Sequence, residues 1–445
     1  MSRYAVVGGG ISGLTAAYKL RRLVGDDARI TLFDPADTLG GILRTVRLAG
    51  HPVDVGAEAF IARRPEVPTL LAELGMAQAQ IDTTGVRPLI YAGGALHPMP
   101  EGTVNGIPTS AASLAGLVDD DVVATVAAEP SQPLDWTPGT DPVVAQLVGQ
   151  RFGAQVVSRS VDPLLAGVYA GSAATIGLRS AAPGVASALD SGASSLIAAA
   201  RAALPPAASG PVFRAVGGGY QRLVDELLRQ SGAERVQAAV TSLSQVDGGW
   251  QLDGRHADAV VLAVPAAQLA GLVSHVAPEA ATAARHIPVA SSAVLALAVP
   301  GGRSLPERSG VLVASGEPLR AKAITLSSRK WGRPDDVELL RLSFGRFGDD
   351  VARTATDDEL TSWALDDLES VFGVTLEPVD AHVARWIDAM PQYGPGHRAL
   401  VARIRASLPD TLAVAGNYLD GIGVPACISS GAAAAERLVR ARVAR

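Results

Sequence analysis

Tyr4-Ala5-Val6-Val7-Gly8-Gly9-Gly10-Ile11-Ser12-Gly13 stands at the head of the chain, and its reading decides the fold. Tyr4 to Val7 is a short apolar run that predicts a strand. The glycines follow at once, and Leu14, Ala17, Tyr18 and Leu20 then recur at helical spacing. Arg29-Ile30-Thr31-Leu32-Phe33-Asp34 reads as a second strand ending in an acid. Strand, glycine turn, helix, strand and acid is the order of a dinucleotide-binding unit. Gly8 serves the tight turn, Gly10 the approach of backbone to a pyrophosphate, and Gly13 the close packing of helix on strand. Gly9, Ile11 and Ser12 complete a loop whose helix N-terminus presents unpaired N–H groups to phosphate. Asp34 stands 21 residues after Gly13, where a carboxylate meets a ribose hydroxyl. This motif does not separate NAD from FAD.

The composition fits a large folded chain. A chain of 445 residues, 48% hydrophobic and 18% charged, has material for roughly three domains and excludes disorder. A net charge of −6 argues against a nucleic-acid partner. Lys19, Lys322 and Lys330 are the only lysines among 38 basic residues, a bias that reads as GC-rich codon usage. Cys427 is the single cysteine, so an intrachain disulfide and a cysteine zinc site are excluded, in keeping with a reducing cytoplasm. The seven histidines show no metal-ligand spacing, and no metal is expected. The most apolar stretch, 257–273, carries Asp258 and Pro265 and is too short to span a bilayer. Integral membrane association is therefore not expected.

Further glycine turns lie far from the first. Leu39-Gly40-Gly41-Ile42-Leu43-Arg44-Thr45 suggests backbone passing close to a ligand, with Arg44 able to meet phosphate. Asp54-Val55-Gly56-Ala57-Glu58 is a short acidic turn, uninformative alone. At the other end, Leu412 to Ala415 runs into Gly416-Asn417, then Gly421-Ile422-Gly423-Val424-Pro425 and an alanine-rich helix after Gly431. Two strand–glycine–helix turns at opposite ends imply a discontinuous domain closing around one large ligand.

Together these segments resemble the FAD-dependent amine oxidase and protoporphyrinogen oxidase superfamily. Ala257 to Pro265 looks like its strand returning to the FAD domain, and Phe213 to Tyr220 like its internal glycine turn. Asp162-Pro163-Leu164-Leu165-Ala166-Gly167-Val168-Tyr169-Ala170-Gly171 and the segment Gly416 to Ile428 resemble the porphyrinogen oxidases specifically. Met390-Pro391-Gln392-Tyr393 and Gly396-His397 add to the likeness, which runs from residue 4 to about 438 and is thinnest at about 106–145 and 275–320. The form of 162–171 resembles that of the soluble coproporphyrinogen III oxidases of Gram-positive bacteria.

The resemblance implies an FAD enzyme that oxidises a porphyrinogen to a porphyrin by six electrons, with dioxygen as acceptor and three hydrogen peroxide released. Coproporphyrinogen III is the expected substrate, in haem biosynthesis and in the cytoplasm, with haem-pathway enzymes as candidate partners. The flavin accepts the hydride, so no catalytic side chain is assigned. Gly8, Gly9, Gly10, Ile11, Ser12, Gly13, Asp34, Gly40, Gly41, Gly56, Ala57, Glu58, Val240, Gly416, Asn417, Gly423, Val424 and Pro425 form the expected cofactor-binding set. Val240 sits where the family contacts the adenine side through backbone atoms. Arg87 lies one residue out of step with the family's substrate-carboxylate arginine, and Gly167 where family backbone lies against the macrocycle. Lys330-Trp331 reads chiefly as surface of the substrate domain, although a lysine approaches the flavin in amine oxidases. Cys427 does not match the position of a covalent flavin link and reads as a buried free thiol.

The expected fold is α/β. A discontinuous Rossmann-like FAD-binding domain takes 1–85, 205–275 and 400–445. An α+β substrate-binding sheet domain takes 86–105 and 276–399. A helical domain takes 106–204, where 143–157 and 194–204 have helical spacing. Alternation in 294–299 and 339–344 predicts strands, and 357–372 an amphipathic helix. Three rivals remain. Protoporphyrinogen IX oxidation shares every motif. An amine oxidase would frame its amine with aromatic side chains, which make up only 4% of the chain. A non-catalytic FAD-fold scaffold would be expected to lose the phosphate-binding glycines, and this chain keeps them.

Overall fold

The computed structural model describes residues 2–205, 210–302, 305–332 and 336–443. The opening motif folds as its spacing predicts. Strand Arg3–Val7 leads through the glycine loop into helix Ile11–Val24 and on to strand Arg29–Phe33, which pairs parallel with the first. The sheet around them has five strands. In order they are Glu234–Val236, Arg29–Phe33, Arg3–Val7, Ala259–Leu262 and Leu412–Val414, all parallel. Side chains alternate across each strand, so both faces must be covered. Tyr4 and Val6 pack under helices Ile11–Val24, Gln221–Ser231 and Val424–Val443. Ala5 and Val7 face the other way, onto helices Ala266–Leu272, Pro278–Arg285 and His397–Ala406. Helix Val424–Val443 lies so close on Ile11–Val24 that a Cβ at Gly431 would meet the Ser12 carbonyl oxygen at 2.2 Å.

A seven-stranded mixed sheet stands beside it. Its long strand Val289–Pro300, next to one edge, pairs antiparallel with the edge strand Asp380–Pro391 and with Val337–Phe344. Ala293, Leu295 and Leu297 pack on one face beneath helix Asp357–Phe372, through Leu360, Ala364 and Leu368. That helix begins with a capping box, in which the Thr356 hydroxyl accepts the Glu359 N–H and the Glu359 carboxylate accepts the Thr356 N–H. Thr356→Ala should cost about 1 kcal/mol of stability in urea unfolding, and an unchanged midpoint would remove the cap from the account. The register of this pairing breaks between Ala290 and Ser292, where the ladder with Asp380–Pro391 is interrupted.

Helices Asp120–Ala128, Val144–Phe152, Asp162–Tyr169, Pro183–Asp190 and Leu196–Ala203 share a third core with Ile90 of the second sheet. Ala280, Ala281, Val401 and Ile404 pack in the core of the parallel sheet. We therefore propose that 276–287 and 397–399 belong with the cofactor-binding unit rather than with the second sheet. No helix among the described residues is long and apolar enough to cross a membrane.

Candidate functional site

A cavity of about 280 Å3 opens at the C-terminal ends of the parallel strands. That is where ligands bind in open α/β sheets. Gly8 takes a positive φ of 105°, and a Cβ there would meet the Ala263 carbonyl oxygen at 2.2 Å. A Cβ at Gly13 would meet the Gly8 oxygen at 1.9 Å, which is the close helix–strand approach. Gly10 differs, since a Cβ there meets nothing within 4 Å and would point into open space beside the cavity it lines. Helix Ile11–Val24 has no side-chain cap and no acid in its first turn, so its N–H groups are left for an anion.

Asp34, at the end of its strand, lines the same cavity. Its carboxylate accepts the Gly9 N–H at 2.6 Å and the Ala36 N–H at 2.9 Å, which orients it on the loop. The Gly40-Gly41 turn folds over this loop, with the Gly40 N–H on the Gly9 oxygen at 2.8 Å. Gly40 has φ 119°, and a Cβ there would strike the Leu43 oxygen at 2.4 Å. Arg44 follows the lining residue Leu43 and has a buried Nε without a hydrogen-bond partner. Such an orphaned donor suits a phosphate oxygen. Ala238, Ala239 and Val240 form one wall, and Gly416, Asn417, Tyr418, Ile422 and Val424 another. The Asn417 side-chain amide donates to the Ala389 oxygen at 3.0 Å and ties this loop to the bulged strand. A pyrophosphate, a ribose and a long planar ring each find a matching feature, so these residues fit FAD. Cys427 is buried in the same wall, where burial pushes its thiol up to about 11 and keeps it inert.

Gly8, Gly10, Ile11, Ser12, Asp34, Gly40, Gly41, Val240, Gly416, Asn417 and Val424 of the expected set line the cavity. Gly9 and Gly13 support it from behind, and Gly423 and Pro425 flank Val424 without lining it. The acidic turn is placed elsewhere. Gly56 packs against the Ile42 oxygen, and Ala57 donates its N–H to that oxygen at 3.2 Å, one layer outside the wall. Glu58 is at the centre of a buried ion cluster instead. Its carboxylate pairs with Arg341 at 2.8 Å and Lys330 at 3.1 Å and accepts the Trp331 indole N–H at 2.5 Å. Burial alone would raise Glu58, but Lys330 and Arg341 outweigh it and hold the carboxyl down to about 2. Glu58 thus has both oxygens engaged within the chain, and Lys330 and Trp331 are its partners rather than free surface. No local signal in the sequence announces this cluster.

Arg87 does not reach the cavity. Its guanidinium pairs with Glu101 and is 53% exposed, two residues before the strand Leu89–Ala92. Gly167 is exposed on helix Asp162–Tyr169, facing Leu312 of the second sheet.

The model of the family "Flavin containing amine oxidoreductase" matches residues 11–439. Coproporphyrinogen III oxidase of Mycobacterium tuberculosis (strain H37Rv) is 62% identical over 443 residues, covering 98% of this chain and 97% of that one. The enzyme of the same name from Mycobacterium leprae is 61% identical over 447 residues, covering 99% of each. A crystal structure of an Exiguobacterium protein that carries a protoporphyrinogen oxidase name superposes with a TM-score of 0.87, at 28% identity and 98% coverage of both chains. With the cofactor cavity built from the same residues that carry the motifs, the chain belongs to the flavin-containing amine oxidoreductase family.

Proposed function

We propose that this chain oxidises coproporphyrinogen III to coproporphyrin III, a six-electron reaction that needs FAD and dioxygen and releases three hydrogen peroxide. The observation that carries this reading is its full-length similarity, at 62% identity, to a relative of that name. When bound, FAD supplies the oxidising group and returns electrons to dioxygen. The chain's own residues bind, orient and exclude water. Val7, Ile11, Leu43, Val264 and Ile422 give the cavity an apolar lining that favours a planar ring over solvent. The Asn417 amide bond to Ala389 and the Gly40-Gly41 turn hold the two ends of the cofactor site at a fixed spacing. Exposed Gly167 leaves a strip without a side chain on the helix beside the second sheet, where a flat macrocycle can lie. Cytoplasmic residence and exchange with other haem-pathway enzymes belong to the same proposal.

Protoporphyrinogen IX is the second reading, favoured by the name of the Exiguobacterium structure. Aerobic initial rates on the two porphyrinogens, followed by porphyrin fluorescence, decide between them. Coproporphyrinogen III should be oxidised with kcat/KM higher by about tenfold, a preference worth ~1.4 kcal/mol. The opposite preference would reject the proposal.

A further inference from the structure

The segments 162–171 and 390–393, far apart in the chain, meet at the end of helix Asp162–Tyr169. The last carbonyls of a helix have no partner within it and must find donors elsewhere. Here the Gln392 side-chain amide donates to the Tyr169 oxygen at 2.8 Å, and the Phe347 N–H to the Ala170 oxygen at 2.7 Å. Ala170 is held in the left-handed region, at φ 48° and ψ 27°, and the helix stops there. Gln392 is 2% exposed, and its amide also donates to the Met390 oxygen at 3.0 Å. Its Oε1 sits against Gly171, where a Cβ would stand 2.4 Å from it. The missing side chain at 171 is thus the space that Gln392 occupies.

The next side chain holds the cofactor loop. The Tyr393 hydroxyl donates to the Asn417 carbonyl oxygen, and its ring stacks on His397 with centroids 4.1 Å apart. Nε2 of His397 lies 3.2 Å from the Leu419 carbonyl oxygen, two residues further along the same loop. The Tyr169 ring packs on Tyr393 from the other side of the junction, with centroids 5.6 Å apart. Backbone bonds fix the pair as well. Gln392 donates its N–H to the Pro288 oxygen at 2.8 Å, just ahead of strand Val289–Pro300. Tyr393 accepts the Gly177 N–H of the helical unit at 2.8 Å. Pro391, the residue before them, lines the cofactor cavity. One dipeptide therefore touches all three units, and a single peptide bond separates the cavity wall from the residue that holds the helix end.

We infer that Gln392 and Tyr393 are positioning residues, a clamp that fixes helix Asp162–Tyr169 against the cofactor loop at 416–419. The clamp grips a backbone carbonyl, so it sets the place of the whole helix whichever face Gly167 presents. Its consequence for the reaction rests on the function proposed above, in which the macrocycle lies along this helix. A displacement of about 1 Å at such a support costs up to about a hundredfold in rate.

Three variants probe the clamp from different sides. Gln392→Met keeps the volume and removes both donor bonds. Tyr393→Phe removes one hydroxyl. Gly171→Ala pushes the Gln392 amide away without changing Gln392. Hydrogen exchange at 166–172, with and without FAD, reads the clamp apart from turnover. FAD should slow exchange there at least about fivefold in wild type. The variants should lose most of that slowing while keeping FAD content and the protection of 8–13. Anaerobic reduction of the bound flavin by coproporphyrinogen III should slow at least about tenfold in all three. Reduction by dithionite should be unchanged, and coproporphyrin III should bind as it does to wild type. Wild-type exchange at 166–172, an unchanged rate of reduction by the porphyrinogen, or a rate loss that only tracks lost FAD would each overturn the inference. A wild type that no porphyrinogen reduces marks failure of the substrate reading instead, and the exchange at 166–172 then judges the clamp.

Discussion

Gly10→Val should give a folded, colourless protein. Gly10 caps helix Ile11–Val24 with φ −72° and ψ 175°, an extended conformation open to any residue. A Cβ there meets no atom within 4 Å, so valine costs neither backbone strain nor a clash with the chain. Its methyl groups would instead fill the part of the cavity where backbone must approach a pyrophosphate. Flavin absorbance per protein should fall below about a tenth of wild type, as steric exclusion at a close-packed ligand contact requires. The thermal midpoint should match that of wild type stripped of FAD. Gly13→Val would lose flavin for a different reason, because its Cβ runs into the Gly8 carbonyl oxygen at 1.9 Å and pushes helix off strand. A yellow Gly10→Val with normal flavin content would overturn the assignment of this loop to the pyrophosphate.

The second large effect is expected at Glu58, far from any motif. Its carboxylate is 11% exposed and balances Lys330 and Arg341, which are 18% and 11% exposed. Arg341 also donates to the Gly56 oxygen at 2.7 Å, and Lys330 lies over the Trp331 ring at 4.9 Å. Glu58→Gln keeps the shape but leaves two buried cations without a counter-ion. The displacement of the carboxyl from 4.5 to about 2 corresponds to about 3 kcal/mol of stability, consistent with the cost of breaking a buried pair. Urea unfolding at neutral pH should register a loss of that size, and a change under about 1 kcal/mol would mean that solvent screens the cluster. The pH dependence has a definite sign. Because folding depresses this carboxyl, its contribution is complete above 4.5 and disappears as pH falls through about 2. Asp54 works in the opposite direction. Burial raises it to about 6 despite its bonds from Thr45 and the Tyr220 N–H, so its ionisation opposes folding between 3.8 and about 6. Acid titration of Glu58→Gln should therefore lose the share of the decline below 4.5 that Glu58 carries and keep the gain that protonation of Asp54 brings on the acid side of neutrality.

The cofactor site was readable where its parts are local. Gly8 to Gly13 and Asp34 lie within one strand–helix–strand unit, and the spacing alone carries the geometry of the turn and the acid. Helix Asp357–Phe372 was readable for the same reason, since its cap and its apolar period are both written within 17 residues of Thr356. Arg87 shows the limit of this approach. An arginine one step out of register before a strand is indistinguishable in sequence from a ligand contact, and only the structure shows that its guanidinium is exposed and paired with Glu101 outside the cofactor cavity. Glu58 shows it more sharply, because its partners Lys330 and Trp331 come from 272 and 273 residues away.

The sequence by itself determined the nucleotide-binding topology, because a phosphate-binding turn needs glycines at fixed local spacing, and the likeness of several distant segments to one family added FAD. Tertiary structure alone decided which polar groups are spent and which are free. Asp420, Asp190 and Glu58 are neutralised by arginines and a lysine from other elements. Pairing is a matter of distance in space, and distance between remote segments is not encoded in the order of residues along either one.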